Sequence, residues 1–228
     1  MTVRPIPFSP AMVRALLDGQ KFMTRRVLKP QPKNIAWDAE QGPDGTWRLR
    51  SPRFNVTEPL HVPYAIRDLL WVREHHTATC ITDDRSVSLD FPVKASGFPS
   101  SIKDFWPERC RLPNVDALRP PMFLPLEFSR LTLRVTEVRV QRLQEISEED
   151  IWAEGIAPPS ETMTIQECLA RAAKFGTGES APRTAFAWLW NSLNEQRGFG
   201  WDVNPWVCAI SFEVIAENVD AVLAREAV

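Results

Sequence analysis

The sequence predicts an α+β protein, a mixed β-barrel with helices at its rims, folded as one compact domain with insertions. Three observations carry that expectation. Strand-like segments stand near both ends of the chain, a short helix follows the first of them, and the strongest strand, residues 129–143, changes phase halfway. In that strand Leu131, Leu133 and Val135 alternate in one phase and Val138 and Val140 in the other. A bulge near Thr136-Glu137 keeps both sets on one core face, and a strand bent in this way suits a small barrel. A doubly wound sheet would need strands and helices in steady alternation, which is not the pattern here.

Taken in order, residues 4–8 read as an edge strand, because Pro5 and Pro7 cannot donate to a central ladder. Ser9 is an N-cap with Pro10 at the first helical position, and Met12, Val13, Leu16 and Leu17 give an apolar stripe that ends at Gly19. Thr24 to Leu28 extends as a strand until Lys29-Pro30-Gln31-Pro32 breaks it. Residues 34–53 read as a hairpin, with Trp37 before and Trp47 after an Asp44-Gly45 turn. Residues 67–74 are apolar enough for a buried strand that emerges at Glu74. Residues 75–124, rich in proline and without periodicity, read as an irregular insertion or long loop that could serve as a lid.

After the 129–143 strand, Ser147-Glu148-Glu149-Asp150 has the form of a capping box, and Gly155 ends the helix after Glu154. Residues 161–175 and 183–196 read as two more helices, the second with Phe186, Leu189, Trp190 and Leu193 on one face. A second insertion is placed at about 156–185. Trp206, Cys208, Ile210, Phe212 and Val214 alternate as a late strand, and residues 216–227 form a helical tail.

With 228 residues, 44% of them apolar, the chain can bury a sizeable core. Twenty prolines and nine tryptophans point to fixed loops and large aromatic anchors; Trp71, Trp188, Trp190 and Trp206 read as core rather than as base-stacking platforms. No apolar run approaches the ~20 residues of a membrane span, and the N-terminus lacks the pattern of a signal peptide, so a cytoplasmic location is expected. Cys80, Cys110, Cys168 and Cys208 form no C-x-x-C pair and stand at no ligand spacing to His61, His75 or His76. They read as free, mostly buried thiols, and nothing in the sequence demands a metal or an organic cofactor. Net charge is −2, yet residues 1–142 carry 22 Lys and Arg against 15 Asp and Glu, and residues 143–228 carry 5 against 14. An electropositive face is compatible with that asymmetry, as is scattered solvated charge.

The stretch from Gly19 to Arg26 concentrates chemistry. A glycine able to take positive φ is followed within seven residues by Lys21, Thr24, Arg25 and Arg26, a loop suited to an anion. The plainer reading is cations solvated after a helix C-terminus, where positive charge is favourable anyway. Thr24 is equally a β-branched strand residue, and Glu154 equally a surface residue before a helix-ending glycine.

Five motifs in order resemble the ASCH family of PUA-like β-barrels. They are Gly19-x-Lys21-x-x-Thr24-x-Arg26, Arg67-Asp68-Leu69-Leu70-x-Val72, the 129–143 strand, Ser147-Glu148-Glu149-Asp150-x-x-Ala153-Glu154-Gly155, and the closing strand from Trp206. The flanking segments around Phe8-Ser9, Thr24-Arg25-Arg26-Val27-Leu28-Lys29, Trp71-Val72-Arg73-Glu74 and Asn204-Pro205-Trp206-Val207 are similar to a larger branch common in phages and prophages. Small members with this core are amidohydrolases that deacylate N4-acetylcytidine; others are single-strand ribonucleases or RNA-binding adaptors. The resemblance implies Lys21 as base, Thr24 as nucleophile and Glu154 as proton donor. Gly19, Arg25 and Arg26 are read as substrate-binding, and Glu74 either joins them or forms a structural salt bridge near Arg73. The chemistry is coherent: an amide needs a nucleophile, a base for its proton and an acid for the leaving amine. Lys21 would be kept neutral by burial and by Arg25 or Arg26, and Glu154 would donate a proton if its pKa is raised. The expected partner is a nucleoside or single-stranded RNA. In the ribonuclease reading Lys21, Arg25, Arg26 and Lys29 hold the phosphate backbone; in the third the chain only binds.

Overall fold

A computed structural model describes residues 1–33, 38–54, 56–156 and 180–227. Trp37, Cys168, the expected 161–175 helix and most of the expected 156–185 insertion lie outside the described residues. The strands are β1 (Val3–Pro7), β2 (Met23–Val27), β3 (Asp38–Gln41), β4 (Trp47–Arg50), β5 (Thr57–Leu60), β6 (Leu69–Arg73), β7 (His76–Ile81), β8 (Ser86–Asp90), β9 (Ser101–Phe105), β10 (Leu118–Arg119), β11 (Thr132–Arg142) and β12 (Trp206–Ile215). The helices are α1 (Pro10–Leu17), α2 (Glu148–Ala153), α3 (Ala181–Asn194) and α4 (Val219–Glu226). The α+β class is therefore as expected. Among the described residues, however, the strand pairings build open sheets and close no barrel.

Chain contacts divide the protein into two compact units, each assembled from separate stretches. The first comprises Met1–Phe22, Ile66–Thr136 and Phe212–Val228. In it β1 runs parallel to β6, with Ile6 opposite Val72, and stands at the sheet edge as its prolines require. The start of β11 pairs antiparallel with β6, Leu133 opposite Leu70. Leu69, Leu70 and Val72 are fully buried because both faces of β6 are covered, and Leu69 and Trp71 pack against Val219 and Val222 of α4. The expected emergence of the strand at Glu74 is not found: Glu74 is buried.

Residues 75–124 correct the sequence reading more fully. They form a four-stranded sheet in the order β10-β7-β8-β9, antiparallel throughout, with a core of Val87, Leu89, Phe91, Trp106, Leu124 and Phe128. Its strands are short and partly polar, and a register shift between Ala78 and Cys80 interrupts the alternation that marks a strand in sequence.

The second unit comprises Met23–Ala65 and Glu137–Ser211. Here β12 pairs antiparallel with β2, Ile210 opposite Thr24 and Cys208 opposite Arg26. The expected alternation in β12 is only half the story, since Val207 and Ala209 are buried as well as Cys208 and Ile210. The hairpin forms as expected: Gly45 takes φ 77°, and Asp44 accepts from the Thr46 amide at 3.1 Å and from its hydroxyl at 2.7 Å. A third strand, β5, extends it into a meander.

Ser147 caps α2 by accepting from the Asp150 amide at 3.2 Å. Phe186 and Trp190 of α3 pack with Ile151, Trp201 and Val207. Leu193 is 45% exposed and Trp188 42% exposed, so the predicted stripe and the predicted core role for Trp188 fail there. Of the described cysteines, which are free, Cys208 is buried and its thiol is pushed up to about 12 by that burial, whereas Cys80 is exposed and Cys110 half-buried. No described helix is long and apolar enough to cross a membrane.

Candidate functional site

The sequence-predicted residues fall in both units: Gly19, Lys21 and Glu74 in the first, Thr24, Arg25, Arg26 and Glu154 in the second. In the second unit, strand alternation puts Met23 and Arg25 on one face of β2 and Thr24 and Arg26 on the other. Thr24 is buried. Arg25 is too, and it is there because two carboxylates meet it. Its Nη1 donates to Glu154 Oε1 at 3.1 Å, and its Nη2 donates to Asp150. Asp150 and Glu154 are four residues apart on and just past α2, so their side chains share one helix face and bracket a single guanidinium.

The other Asp150 oxygen accepts from Arg139 Nη2 at 2.7 Å, and Arg25 lies 5.9 Å over the Phe186 ring. Gly155, at φ 82°, then turns the chain in a conformation a side chain would strain. Asp150 and Arg139 were missed as site residues. The signal for the first was present, an i,i+4 carboxylate pair on a capped helix, but the capping box accounted for Asp150 without it.

Arg26 is half-buried on the opposite face. Burial lowers its pKa, Tyr64 and Glu154 oppose that shift, and Arg197 adds to it. Glu154 therefore bonds one arginine of β2 and acts through space on the next. Close by in sequence, exposed Lys29 lies 5.4 Å from the Phe199 ring centroid.

In the first unit Gly19 takes φ 66° just past α1, and the amides of Gln20 and Lys21 both donate to the Ala15 carbonyl, at 2.8 and 3.0 Å. The turn they make delivers Lys21 to the interior, where it is fully buried with Nζ 5.8 Å from the Phe8 ring centroid. The plainer expectation of a solvated cation does not hold for Lys21.

Glu74 is committed to Arg130. Both its oxygens accept from that guanidinium, Oε1 from Nε at 2.8 Å and Oε2 from Nη2 at 2.7 Å, and the pair is almost wholly buried. Arg130 also donates to the carbonyls of Pro99 at 2.5 Å and Val93 at 2.6 Å and lies 4.5 Å over Phe91. Burial raises the Glu74 pKa, with Arg130 opposing it. Glu74 thus fastens the β7–β10 sheet to the end of β6, the structural one of the two roles expected for it.

Chemically, the second unit offers a buried hydroxyl and a polarised carboxylate cluster, and the first a buried amine. Among the described residues no group of three His, Cys, Asp or Glu side chains could hold a metal ion. Comparison with models of known protein families, with curated proteins and with solved structures gave no match to this chain.

Proposed function

We propose that this chain is a PUA-like, ASCH-type protein that binds a nucleoside and deacylates an N4-acylated cytidine, with Lys21 as base, Thr24 as nucleophile and Glu154 at the leaving amine. The observation that carries the reading is the 3.1 Å bond between Arg25 and Glu154, residues 129 apart in sequence. It ties the motif around Thr24 to the helix that ends in Glu154-Gly155, the two segments whose combination carries the resemblance. Burial of Lys21 supports it further, because desolvation is one of the ways in which a lysine amine is activated.

The Arg25 bond refines the role of Glu154. A carboxylate bonded to a guanidinium accepts hydrogen bonds, so Glu154 orients the exocyclic N–H of the substrate. The proton it passes to the leaving N4 is the one Lys21 takes from Thr24 as the acyl–oxygen bond forms and the C–N bond breaks. The test is release of cytidine from N4-acetylcytidine, followed chromatographically. Wild-type protein turns over, and Lys21→Met, Thr24→Ala and Glu154→Gln each slow turnover by roughly 10²-fold or more while remaining folded. Equal turnover in all three variants would overturn the assignment.

A second reading, a single-strand RNA binder or ribonuclease, is favoured by one observation. Lys29 beside Phe199, with Arg26 and Arg197, combines cation and ring as a nucleic-acid strand requires. Salt separates the two. Phosphate-led binding falls steeply between about 50 and 200 mM salt, whereas turnover of a neutral nucleoside hardly responds.

A further inference from the structure

A cavity of about 700 Å³ lies wholly within the first unit, between the end of β6 and the segment 106–126. Two of its arginines lie over aromatic rings. The Arg73 guanidinium is 4.5 Å from the Trp71 ring centroid, and that of Arg119 is 4.9 Å from Phe123. A cation–π contact of this kind restrains the guanidinium and leaves its N–H groups free to donate.

The cavity has cations without matching anions. Arg109 is bonded to Glu127 at 2.6 Å, but among the described residues no carboxylate pairs with Arg73, Arg111 or Arg119. Three donors on its lining residues, Arg73 Nε, Arg119 Nη1 and Trp106 Nε1, are buried without an acceptor among the described residues. Glu127 Oε2 is likewise without a donor, on the side that Arg109 already neutralises. The Arg73 pKa is pulled down, chiefly by burial, the expected response of a cation withdrawn from water with no counter-charge. The rest of the lining is apolar, and at its rim Met122 is 65% and Phe123 48% exposed.

Those features select a ligand. Buried donors and uncompensated charge call for an anion rich in acceptor oxygens, and planar bidentate donors match a phosphate. The exposed ring and thioether call for a flat apolar group joined to it. We propose that this cavity binds a mononucleotide, its phosphate held by Arg73, Arg119 and Arg111 and its base laid against Phe123 and Met122. The inference is independent of the proposed deacylation, because it uses none of Lys21, Thr24 and Glu154.

The test is calorimetric titration of the full chain with cytidine 5′-monophosphate, cytidine and inorganic phosphate. The monophosphate is expected to bind at least about tenfold more tightly than either fragment, since each fragment forfeits one half of the site. Arg119→Met and Arg111→Met are each expected to weaken it by roughly 10-fold or more, the loss of a charged hydrogen bond. Arg111 is exposed, so its variant keeps the fold even if Arg119→Met does not. Hydrogen exchange over residues 106–126 should slow when the monophosphate is added. No binding, binding no tighter than phosphate alone, or binding unchanged in Arg111→Met and Arg119→Met would overturn the proposal. So would loss of binding in Thr24→Ala with both arginine variants unaffected, which would place the nucleotide elsewhere. N4-acetylcytidine turnover, measured alongside, reports separately on the deacylation reading.

Discussion

Replacing Arg25 with methionine tests whether the carboxylate cluster of the second unit is held as described. The substitution keeps the side-chain length but removes the only guanidinium whose bonds reach both Asp150 and Glu154 among the described residues. Deleting one partner of a buried ion pair costs about 3–5 kcal/mol, mostly because the other partner is left charged and desolvated. Here the cost is reduced, since Asp150 keeps Arg139 at 2.7 Å and its side chain is 11% exposed. A loss of about 2–4 kcal/mol is the expected outcome, which for a chain of this length lowers the melting temperature by roughly 4–16 °C.

The assay is urea unfolding of wild type, Arg25→Met, Glu154→Gln and the double variant, followed by tryptophan fluorescence and circular dichroism. Removing the Glu154 charge as well should return part of the loss, with a coupling of about 1–3 kcal/mol. Strict additivity, within about 0.5 kcal/mol, would mean that Arg25 and Glu154 do not sense each other, and the link that carries the proposed function would be gone.

Arg130→Met in the first unit should cost about 3–5 kcal/mol, because it orphans Glu74 together with the Pro99 and Val93 carbonyls. Glu74→Gln should cost clearly less, since burial already favours the neutral form of that side chain; equal losses in urea unfolding would contradict this account. Acidification gives another test through His76, fully buried with Nδ1 3.2 Å from the Glu74 carbonyl. Burial is the main reason its pKa is lowered to about 4 from 6.5. Between those values the unfolded chain binds more protons than the folded one, so stability falls as pH drops through the window, by up to about 3 kcal/mol. Glu74 acts with the opposite sign, since a raised carboxyl pKa makes the folded state the better proton binder and stability falls as pH rises above 4.5. His76→Gln should therefore flatten or invert the pH dependence of the melting temperature between 4 and 6.5, and an unchanged slope would refute the assignment.

The contrast between Lys21 and Glu74 shows which parts of the site were legible in the sequence. The helix before Lys21 was readable from its cap, its proline and its closing glycine, because those signals act within a few residues. What the helix does with Lys21 was not. Two amides sharing the Ala15 carbonyl turn the side chain inward toward Phe8, and such a turn is decided by tertiary packing. Glu74 went astray for the complementary reason. It follows an apolar run, the usual place for a chain to surface, but Arg130, 56 residues on, supplies enough hydrogen bonds to keep it inside.

The four-stranded sheet at 75–124 extends the same argument. Its prolines and mixed charges resemble a loop because each strand has only a few core positions, and a register shift breaks their period. Arg130 accounts for much of how that segment is fixed, reaching Val93 and Pro99 within it and Glu74 at its start. A single interior arginine thus does for this sheet what Arg25 does for α2 and β2 in the second unit. In both, a long charged side chain is held inside by carboxylates distant in the chain. Periodicity reports which face of an element is buried, but it carries no record of which charges meet there. The candidate site is built from those charges. Its segments are therefore legible as motifs, while the partners that orient them, Asp150, Arg139 and Arg130, are set by the fold alone.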